Sequence, residues 1–291
     1  MKLMSFRGPD GVASWGVVDG DTVRDLGARA PSLRGALAQG VSFNTAGTKS
    51  LKLSDVTFLP PITDPDKIIC IGLNYLSHIL EGGREPPTKP TIFTRWANTQ
   101  VGHGEPMICP DVSETFDFEG ELAVVIGKPC RHVSAADGAR VIAGYSCYND
   151  GSVREWQRHS GQFTPGKNFP GTGGFGPWIV TPDEMGDLPA ASLVTRLNGE
   201  EVQRATLDDL VFGVPALIAY CSTFTILEPG DVIITGTTGG VGAYRNPPLW
   251  MKAGDTVEVE ITGIGVLRNP IAQESSVKRS SAASGTRSLV L

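Results

Sequence analysis

The stretch FDFEGELAVVIG, residues 116–127, places two glutamates at the start of a strongly apolar run. Successive side chains of a strand point to opposite faces, so Glu119 and Glu121 share a face with Ala123 and Val125. That face is expected to turn inward, where a carboxylate is costly unless it has a partner. The pattern leaves two interpretations open: a solvated end to a buried strand, or a buried site that binds a cation.

A second glutamate pair provides a comparison within the same chain. In DTVEVEITG, residues 255–263, Glu258 and Glu260 alternate with valine and isoleucine, and the other residues on their face are threonines. This alternation is typical of a half-exposed antiparallel strand. We therefore expect Glu258 and Glu260 to be solvated.

Composition bounds the class of protein. The 291 residues are 40% hydrophobic, enough for a substantial core, and the formal net charge is −6. This charge, with no basic run, argues against nucleic acid or an anionic membrane as a partner. The N-terminal residues lack the apolar core of a signal peptide, and no segment approaches the length of a membrane span, so a cytoplasmic location is expected.

Cysteine and histidine spacings give no sign of a zinc site. The five cysteines contain no C-x-x-C pair, and the four histidines show no H-E-x-x-H spacing. Carboxylates are therefore the better candidates for metal ligands, and they favour a hard, oxygen-preferring cation.

Turn-forming residues predict a β-rich α+β protein. Glycine (36) and proline (21) recur between short apolar runs. The proline-rich LPPITDPDK, residues 59–67, suggests a boundary between a small N-terminal domain, 1–58, and a larger domain, 59–272. The serine-rich residues 273–291 are expected to form a mobile tail.

Local patterns predict one hairpin and a few helices. Asn198-Gly199 lies between two alternating runs and favours a type I′ turn. Helices are expected around residues 74–81, at 152–160 and over 207–224, with Pro215 breaking the last.

Asp150 is a third candidate ligand. It ends the strand-like segment 141–150, which neighbouring strands could bring beside Glu119 and Glu121. An aspartate in an NDG turn is ordinarily a turn residue, which is the competing interpretation. Three carboxylates would suit Mg²⁺ or Mn²⁺ and leave coordination positions open.

Six motifs in order closely resemble the fumarylacetoacetate hydrolase family, of the acylpyruvate or fumarylpyruvate hydrolase kind. The resemblance covers roughly residues 59 to 270. The motifs are GLNYLSHILEGG (72–83), FDFEGELAVVIG (116–127), GYSCYNDGSVREWQ (144–157), GKNFPGTGGFGPWIV (166–180), TRLNGEEVQ (195–203) and LEPGDVIITGTTGGVG (227–242). The resemblance implies a mixed β-sandwich or β-roll catalytic domain, a homodimer and chemistry on 2-oxo acids. It also implies that Glu119, Glu121 and Asp150 bind a divalent metal, Mg²⁺ or Mn²⁺.

The resemblance assigns catalytic roles to four further residues. His78 and Glu81 are three apart on an expected helix, where the carboxylate could orient the imidazole, and the family implies a general base at His78. Gln157 and Lys167 match active-site positions of the family, with Lys167 able to stabilise or protonate an enolate.

Substrate binding is assigned to Arg154, Thr237 and Tyr75 by the same resemblance. From pattern alone, an arginine on a helix and a threonine in a glycine-rich turn are more often solvated or structural. Two positions depart from the family pattern: Thr238 replaces a common proline, and Arg95 stands where many relatives have lysine. We expect both departures to affect substrate choice rather than the metal.

The leading hypothesis from sequence is a metal-dependent hydrolase that cleaves a C–C bond in a 2,4-dioxo acid, in the catabolism of aromatic compounds or sugar acids. His78 would activate the attacking water. An alternative uses the same site for decarboxylation or for enol–keto isomerisation of 2-oxo diacids, such as oxaloacetate or 5-carboxymethyl-2-hydroxymuconate. A third hypothesis, a non-catalytic metal- or sugar-acid-binding module, gives no reason for His78 and Lys167 to lie together.

Overall fold

The structure is a computed structural model that describes residues 1–277. Its strands, in chain order, are β1 (Lys2–Arg7), β2 (Ala13–Asp19), β3 (Thr22–Asp25), β4 (Ser50–Lys52), β5 (Thr57–Phe58), β6 (Ile68–Gly72), β7 (Thr91–Arg95), β8 (Gln100–Val101), β9 (Met107–Cys109), β10 (Phe116–Asp117), β11 (Gly120–Ile126), β12 (Ile142–Asp150), β13 (Ser152–Val153), β14 (Gly173–Val180), β15 (Ser192–Leu197), β16 (Glu200–Thr206), β17 (Val232–Thr237), β18 (Thr256–Ile261) and β19 (Gly265–Gln273).

Helices are fewer than strands in the described residues. The α-helices are α1 (Leu33–Gln39), α2 (Leu76–Glu81), α3 (Arg154–Gln157), α4 (Thr164–Lys167), α5 (Pro182–Met185) and α6 (Val214–Phe224). Single 3₁₀ turns cover Leu53–Asp55, Ala97–Thr99, Gly138–Val141, Leu207–Asp209 and Gly242–Tyr244. Within residues 1–277, no helix is long and apolar enough to span a membrane. The prediction of a β-rich α+β fold is confirmed.

The largest sheet has β11 near its middle. Its main path runs β4-β3-β2-β1-β14-β12-β11-β17-β6-β7, with β5 and β8 attached to β1 and β14. Every residue of β11 is buried. Leu122 and Val124 pack in one core, and Ala123 and Val125 pack in another on the opposite face. The inward-facing strand predicted from residues 116–127 is therefore confirmed, and burial on both faces explains its unbroken apolar run.

A second sheet runs β16-β15-β18-β19-β9. Its residues Leu193, Val259 and Leu267 pack in the same core as Leu122 and Val124, so the two sheets face each other as a sandwich. Strand β18 alternates between buried and half-buried positions, as expected for Glu258 and Glu260. The β15–β16 turn has positive φ at both Asn198 (55°) and Gly199 (85°), which a type I′ turn requires.

The N-terminal strands continue the large sheet. Leu3 of β1 pairs with Ile179 of β14, and Trp15 lies in one core with Ile68 and Ala123. The division into residues 1–58 and 59–272 stays a prediction, and these contacts show how closely its two parts are joined. Of the predicted tail, Gln273 still belongs to β19, and residues 278–291 lie outside the described residues.

The predicted helix over 207–224 begins later than expected. Leu207–Asp209 forms a 3₁₀ turn, and α6 starts at Val214 with Pro215 in its first turn. Proline is tolerated there because the first N–H groups of a helix have no intrahelical acceptor. The prediction that Pro215 breaks a helix was therefore wrong: Pro215 helps to start one.

Candidate active site and metal centre

A cavity of about 300 Å³ opens where β11, β17, α2, α3 and α4 meet, and most of the predicted site residues line it. The lining includes predicted residues from five separate motifs: His78, Glu119, Glu121, Arg154, Gln157, Lys167 and Thr237. Phe93 and Phe163 form an apolar part of the wall, with ring centroids 5.6 Å apart. His78 and Lys167 thus lie at the same site, which a simple binding module gives no reason to expect.

The three predicted metal ligands lie together and are buried. Glu119, Glu121 and Asp150 each offer an oxygen within 4.8 Å of the others. Strand pairing causes this, because β11 and β12 are antiparallel with Gly120 opposite Asn149. The backbone N–H of Asp150 also donates to the carbonyl of Glu119 at 2.8 Å.

Buried cations contact two of these carboxylates. Lys167 Nζ lies 2.5 Å from Glu119 Oε2 and 2.5 Å from Asp150 Oδ2. Arg154 Nη2 is 2.7 Å from Glu119 Oε1, and Arg95 Nη1 is 2.6 Å from Asp150 Oδ1. Glu121 has no cationic neighbour at such a distance in the described residues; its Oε2 accepts the backbone N–H of Gly236.

Because the buried cations contact Glu119 and Asp150 but not Glu121, the pKa values of the two glutamates shift in opposite directions. Burial by itself raises the pKa of Glu119, but the charges of Lys167 and Arg154 outweigh it and lower the value to about 2. Burial, and then the charges of Asp150 and Glu119, raise the pKa of Glu121 well above its usual value. Burial alone would lower the pKa of Lys167, yet Asp150 and Glu119 raise it, so the amine is protonated.

This arrangement fits a divalent cation. Four buried carboxylates, Asp117, Glu119, Glu121 and Asp150, face three buried cations, Arg95, Arg154 and Lys167. Once Glu121 is ionised, the buried site is therefore short of positive charge. The triad donates only oxygen, the ligand type that Mg²⁺ and Mn²⁺ prefer.

Asp117 is a buried site residue that the sequence analysis missed. It accepts hydrogen bonds from Arg154 Nε (2.8 Å) and from the backbone N–H groups of Gly242 (2.8 Å) and Ala243 (2.9 Å). It therefore holds Arg154 against the loop that follows β17. The period-two argument applied to Glu119 and Glu121 also covers residue 117 and could have found it.

Arg95 corrects another expectation. Its departure from the family pattern was expected to affect substrate choice rather than the metal, but its guanidinium is fully buried against the candidate ligand Asp150. Further hydrogen bonds to Gly151 O (3.1 Å) and Thr172 Oγ1 (2.7 Å) fix its plane. Arg95 therefore orients a candidate metal ligand. Thr238, the other departure, is buried, with its Oγ1 3.3 Å from Ser77 Oγ on α2.

His78 and Glu81 lie on one face of α2, as predicted. His78 Nδ1 is 3.6 Å from Glu81 Oε2, too far for a hydrogen bond in this conformation. Glu81 instead accepts the backbone N–H of Gly240 at 3.0 and 3.1 Å, which ties α2 to the loop after β17. The ring of His78 packs against Tyr244, and burial lowers the pKa of the imidazole.

Of three other predicted residues, Gln157 and Thr237 line the cavity and Tyr75 does not. Gln157 Oε1 accepts from Arg154 Nη1 at 2.9 Å at the cavity wall. The hydroxyl of Thr237 donates to Gly120 O (3.0 Å) and accepts from Gln203 Nε2 (2.9 Å). Tyr75 does not line the cavity: its side chain is wholly buried in the core, which corrects its expected contact with substrate.

Comparisons with known proteins match most of the chain. The family model described as fumarylacetoacetate (FAA) hydrolase C-terminal matches residues 67–272. Oxaloacetate tautomerase FAHD2A, mitochondrial, from Homo sapiens is 38% identical over 287 residues, covering 93% of this chain and 91% of that protein. Oxaloacetate tautomerase fahd2, mitochondrial, from Xenopus laevis is 37% identical, covering 93% and 90%.

Solved structures with the same fold have different chemistry. The 5-carboxymethyl-2-hydroxymuconate delta-isomerase from Mycobacterium smegmatis is 34% identical with a TM-score of 0.80, covering 94% of this chain and all (100%) of that one. Maleylpyruvate hydrolase from Sphingobium sp. SYK-6, in complex with manganese(II) and pyruvate, is 28% identical with a TM-score of 0.78, covering 94% and 99%.

Proposed function

Since the chain belongs to the fumarylacetoacetate hydrolase family, we propose that it is an enzyme that interconverts the enol and keto forms of a 2-oxo dicarboxylic acid of the oxaloacetate kind. The observation that carries this proposal is the match to two oxaloacetate tautomerases over 93% of the chain. This match favours the isomerase alternative over the hydrolase, which was the leading hypothesis from the sequence.

Glu119, Glu121 and Asp150 would hold the divalent ion, Mg²⁺ or Mn²⁺. When bound, such an ion acts as a Lewis acid that polarises the 2-oxo group of the substrate. The support for this assignment is the oxygen-only ligand set and its unpaired negative charge. A relative crystallised with manganese supports the same class of ion.

Tautomerisation needs one group that removes a proton from C3 and one that handles the proton on the 2-oxo oxygen. His78 is the candidate for C3, because burial lowers its pKa and keeps the imidazole neutral and able to accept a proton. Lys167 is the candidate for the oxygen, because its ammonium group is protonated and fixed between Glu119 and Asp150. In enolisation His78 would take the proton from C3 while Lys167 donates one to the 2-oxo oxygen. In ketonisation both transfers reverse, with the His78 imidazolium donating to C3 and Lys167 accepting the enol proton, so no water is consumed.

The pH profile should show the lowered pKa of His78. In the enolisation direction only the neutral imidazole can take the proton from C3, and its fraction falls as the pH drops through the pKa. Because burial moves that pKa below the ordinary value of about 6.5, kcat/KM for enolisation of oxaloacetate should stay constant to a lower pH than free imidazole would allow. A profile of kcat/KM for enolisation from about pH 5 to 8, followed by exchange of the C3 hydrogens with solvent deuterium, measures this limb, and a midpoint clearly above about 6.5 would contradict it.

A panel of 2-oxo acids tests the proposed reaction. With Mg²⁺ or Mn²⁺ present, we expect the protein to ketonise enol-oxaloacetate faster than the metal alone does. The loss of enol absorbance measures this rate. Hydrolysis of acylpyruvates should be slower by at least about tenfold in kcat/KM. Acylpyruvate hydrolysis with no catalysed ketonisation would reject the tautomerase in favour of the hydrolase.

Hydrolysis of a 2,4-dioxo acid remains the second candidate function. The likeness to maleylpyruvate hydrolase favours it, together with the nearness of His78 to Glu81, a pair suited to activating water. A role in aromatic catabolism would follow from that activity.

Two expectations about the whole protein stay proposals. A homodimer, expected from the family, predicts a dimeric mass by light scattering at micromolar concentration. The cytoplasmic location stays a prediction as well, and the two tautomerases compared above are named as mitochondrial.

A further inference from the structure

Two arginines at the mouth of the cavity have no charged partner in residues 1–277. Arg84 follows α2, and Arg158 follows α3 directly. Both side chains are exposed, and both line the cavity that holds Glu119 and Glu121. An exposed arginine is usually just solvated. A pair from different segments at the entrance of one small cavity calls for a separate explanation.

The buried cations are already committed to buried carboxylates. Lys167 contacts Glu119 and Asp150, and Arg154 contacts Glu119 and Asp117. Arg95 is held by Asp150 and does not line the cavity. A further anionic group on a substrate therefore has no buried cation left to neutralise it.

A 2-oxo diacid carries such a further group. Its 2-oxo carboxylate end belongs at the triad, where a bound metal ion would meet it, and its second carboxylate lies a few bonds away. A cavity of about 300 Å³ is at the small end for ligand sites and suits a short acid. The remaining wall includes the apolar Phe93 and Phe163, which cannot neutralise a charge.

We propose that Arg84 and Arg158 bind the distal carboxylate of the substrate and select 2-oxo diacids over 2-oxo monoacids. This inference rests on the proposed function and extends it to substrate choice. Guanidinium groups suit the task because they bind carboxylates through two parallel hydrogen bonds and stay charged at any physiological pH.

Because the distal carboxylate takes no part in the reaction, its contacts should stabilise the ground state and the transition state equally. Their loss should raise KM and leave kcat nearly unchanged. A charge-assisted contact is worth more than a neutral one, but exposure to solvent reduces it. We expect each arginine to contribute roughly threefold to tenfold to KM for a diacid.

The test compares Arg84→Gln, Arg158→Gln and the double variant on two substrates. Enol-oxaloacetate is the diacid, and enol-phenylpyruvate is a monoacid that undergoes the same isomerisation. KM for oxaloacetate should rise in each variant and most in the double variant, with kcat within about twofold and KM for phenylpyruvate unchanged. Arg140→Gln is the matched control: it removes the same charge from an exposed arginine that does not line the cavity.

Two further readouts separate a specific contact from a general charge effect. Arg84→Lys and Arg158→Lys should keep part of the preference for the diacid, because the positive charge remains. Added salt should raise KM for oxaloacetate in the wild type and do so less in the double variant.

The outcomes distinguish the two proposals. Unchanged KM for oxaloacetate in the double variant, with wild-type ketonisation intact, would overturn the role of the arginines alone. An equal rise in KM for both acids would also overturn it, because the arginines would then not read the second carboxylate. Failure of the wild type to isomerise either acid would overturn the proposed function itself, and this inference with it.

Discussion

Glu121→Ala is expected to abolish turnover while leaving the fold intact. The variant loses one of three oxygen ligands, and its buried site would hold three carboxylates against three cations. No surplus negative charge would remain to attract a divalent ion. Because a metal acting as Lewis acid contributes several kcal/mol, we expect kcat/KM to fall by at least about 10² to 10³.

Stability measurements provide a readout that does not depend on activity. Mn²⁺ should raise the Tm of the wild type, since a ligand that binds only the folded state stabilises it, and should not raise that of Glu121→Ala. The metal-free variant should melt at the wild-type temperature or above, because the removed carboxylate is buried without a cationic partner. Glu121→Gln, which keeps the size and loses the charge, should behave like Glu121→Ala.

Glu258→Ala is the matched control. Glu258 belongs to the other Glu-x-Glu pair, in β18, and lies 3.5 Å from an exposed Arg268. An ion pair of this kind contributes little, so activity and the effect of Mn²⁺ on Tm should match the wild type. Wild-type activity that survives full chelation by EDTA would contradict the metal assignment altogether.

The two glutamate pairs show how far strand periodicity alone can predict burial. The same two-residue spacing occurs in both, and the residues that continue each face distinguish the buried pair from the half-exposed one. Ala123 and Val125 follow Glu121 into a core, whereas the face of Glu258 is polar throughout. Applied one step further toward the N-terminus, the rule would have included Asp117.

Rules based on local periodicity do not predict contacts between distant segments. Arg95 and Asp150 are 55 residues apart, and nothing in either local sequence indicates that they form a buried pair. Lys167 reaches the triad from α4, a helix of four residues whose pattern is too short to have a period. The matching family motifs, rather than physical patterning, pointed to Lys167, and the same motifs misplaced Tyr75.

The contacts between distant residues matter to function because they hold the carboxylates of the candidate metal site in place. Each carboxylate of the candidate site except Glu121 is held by at least one buried cation, which keeps Asp117, Glu119 and Asp150 in place without a metal. The site is thus largely preformed, and an incoming ion would meet ligands that are already oriented. Preformed ligands lower the cost of ordering side chains on binding.

His78→Ala should separate proton transfer at C3 from other chemistry at the same site. If His78 carries the proton to and from C3, ketonisation of enol-oxaloacetate should slow by ~10² to 10⁴, the usual contribution of a positioned general acid or base. Decarboxylation of oxaloacetate needs no base at C3, since breaking the C3–C4 bond leaves the electron pair on the enolate and releases CO₂. Any decarboxylation by the wild type should therefore persist in the variant, as should the stabilisation by Mn²⁺.

Two further variants in α2 show whether the loss of ketonisation is specific to His78. Leu80→Ala changes an exposed side chain of α2 that does not line the cavity, and it should leave ketonisation unchanged. Glu81→Gln should slow ketonisation less than His78→Ala, because it removes the charge near Nδ1 and leaves the base itself in place. Added imidazole should restore part of the activity of His78→Ala and none of the activity of Glu121→Ala.

The outcome of His78→Ala also decides between the two candidate functions. A water-activating role would make the variant lose acylpyruvate hydrolysis and keep its ketonisation, since isomerisation uses no water. Proton transfer at C3 by His78 would make the variant lose ketonisation, with Mn²⁺ still raising the Tm. If ketonisation and decarboxylation fell together while Mn²⁺ still bound, His78 would be positioning the substrate, and the proton at C3 would have to be assigned to another group that lines the cavity, such as Tyr244.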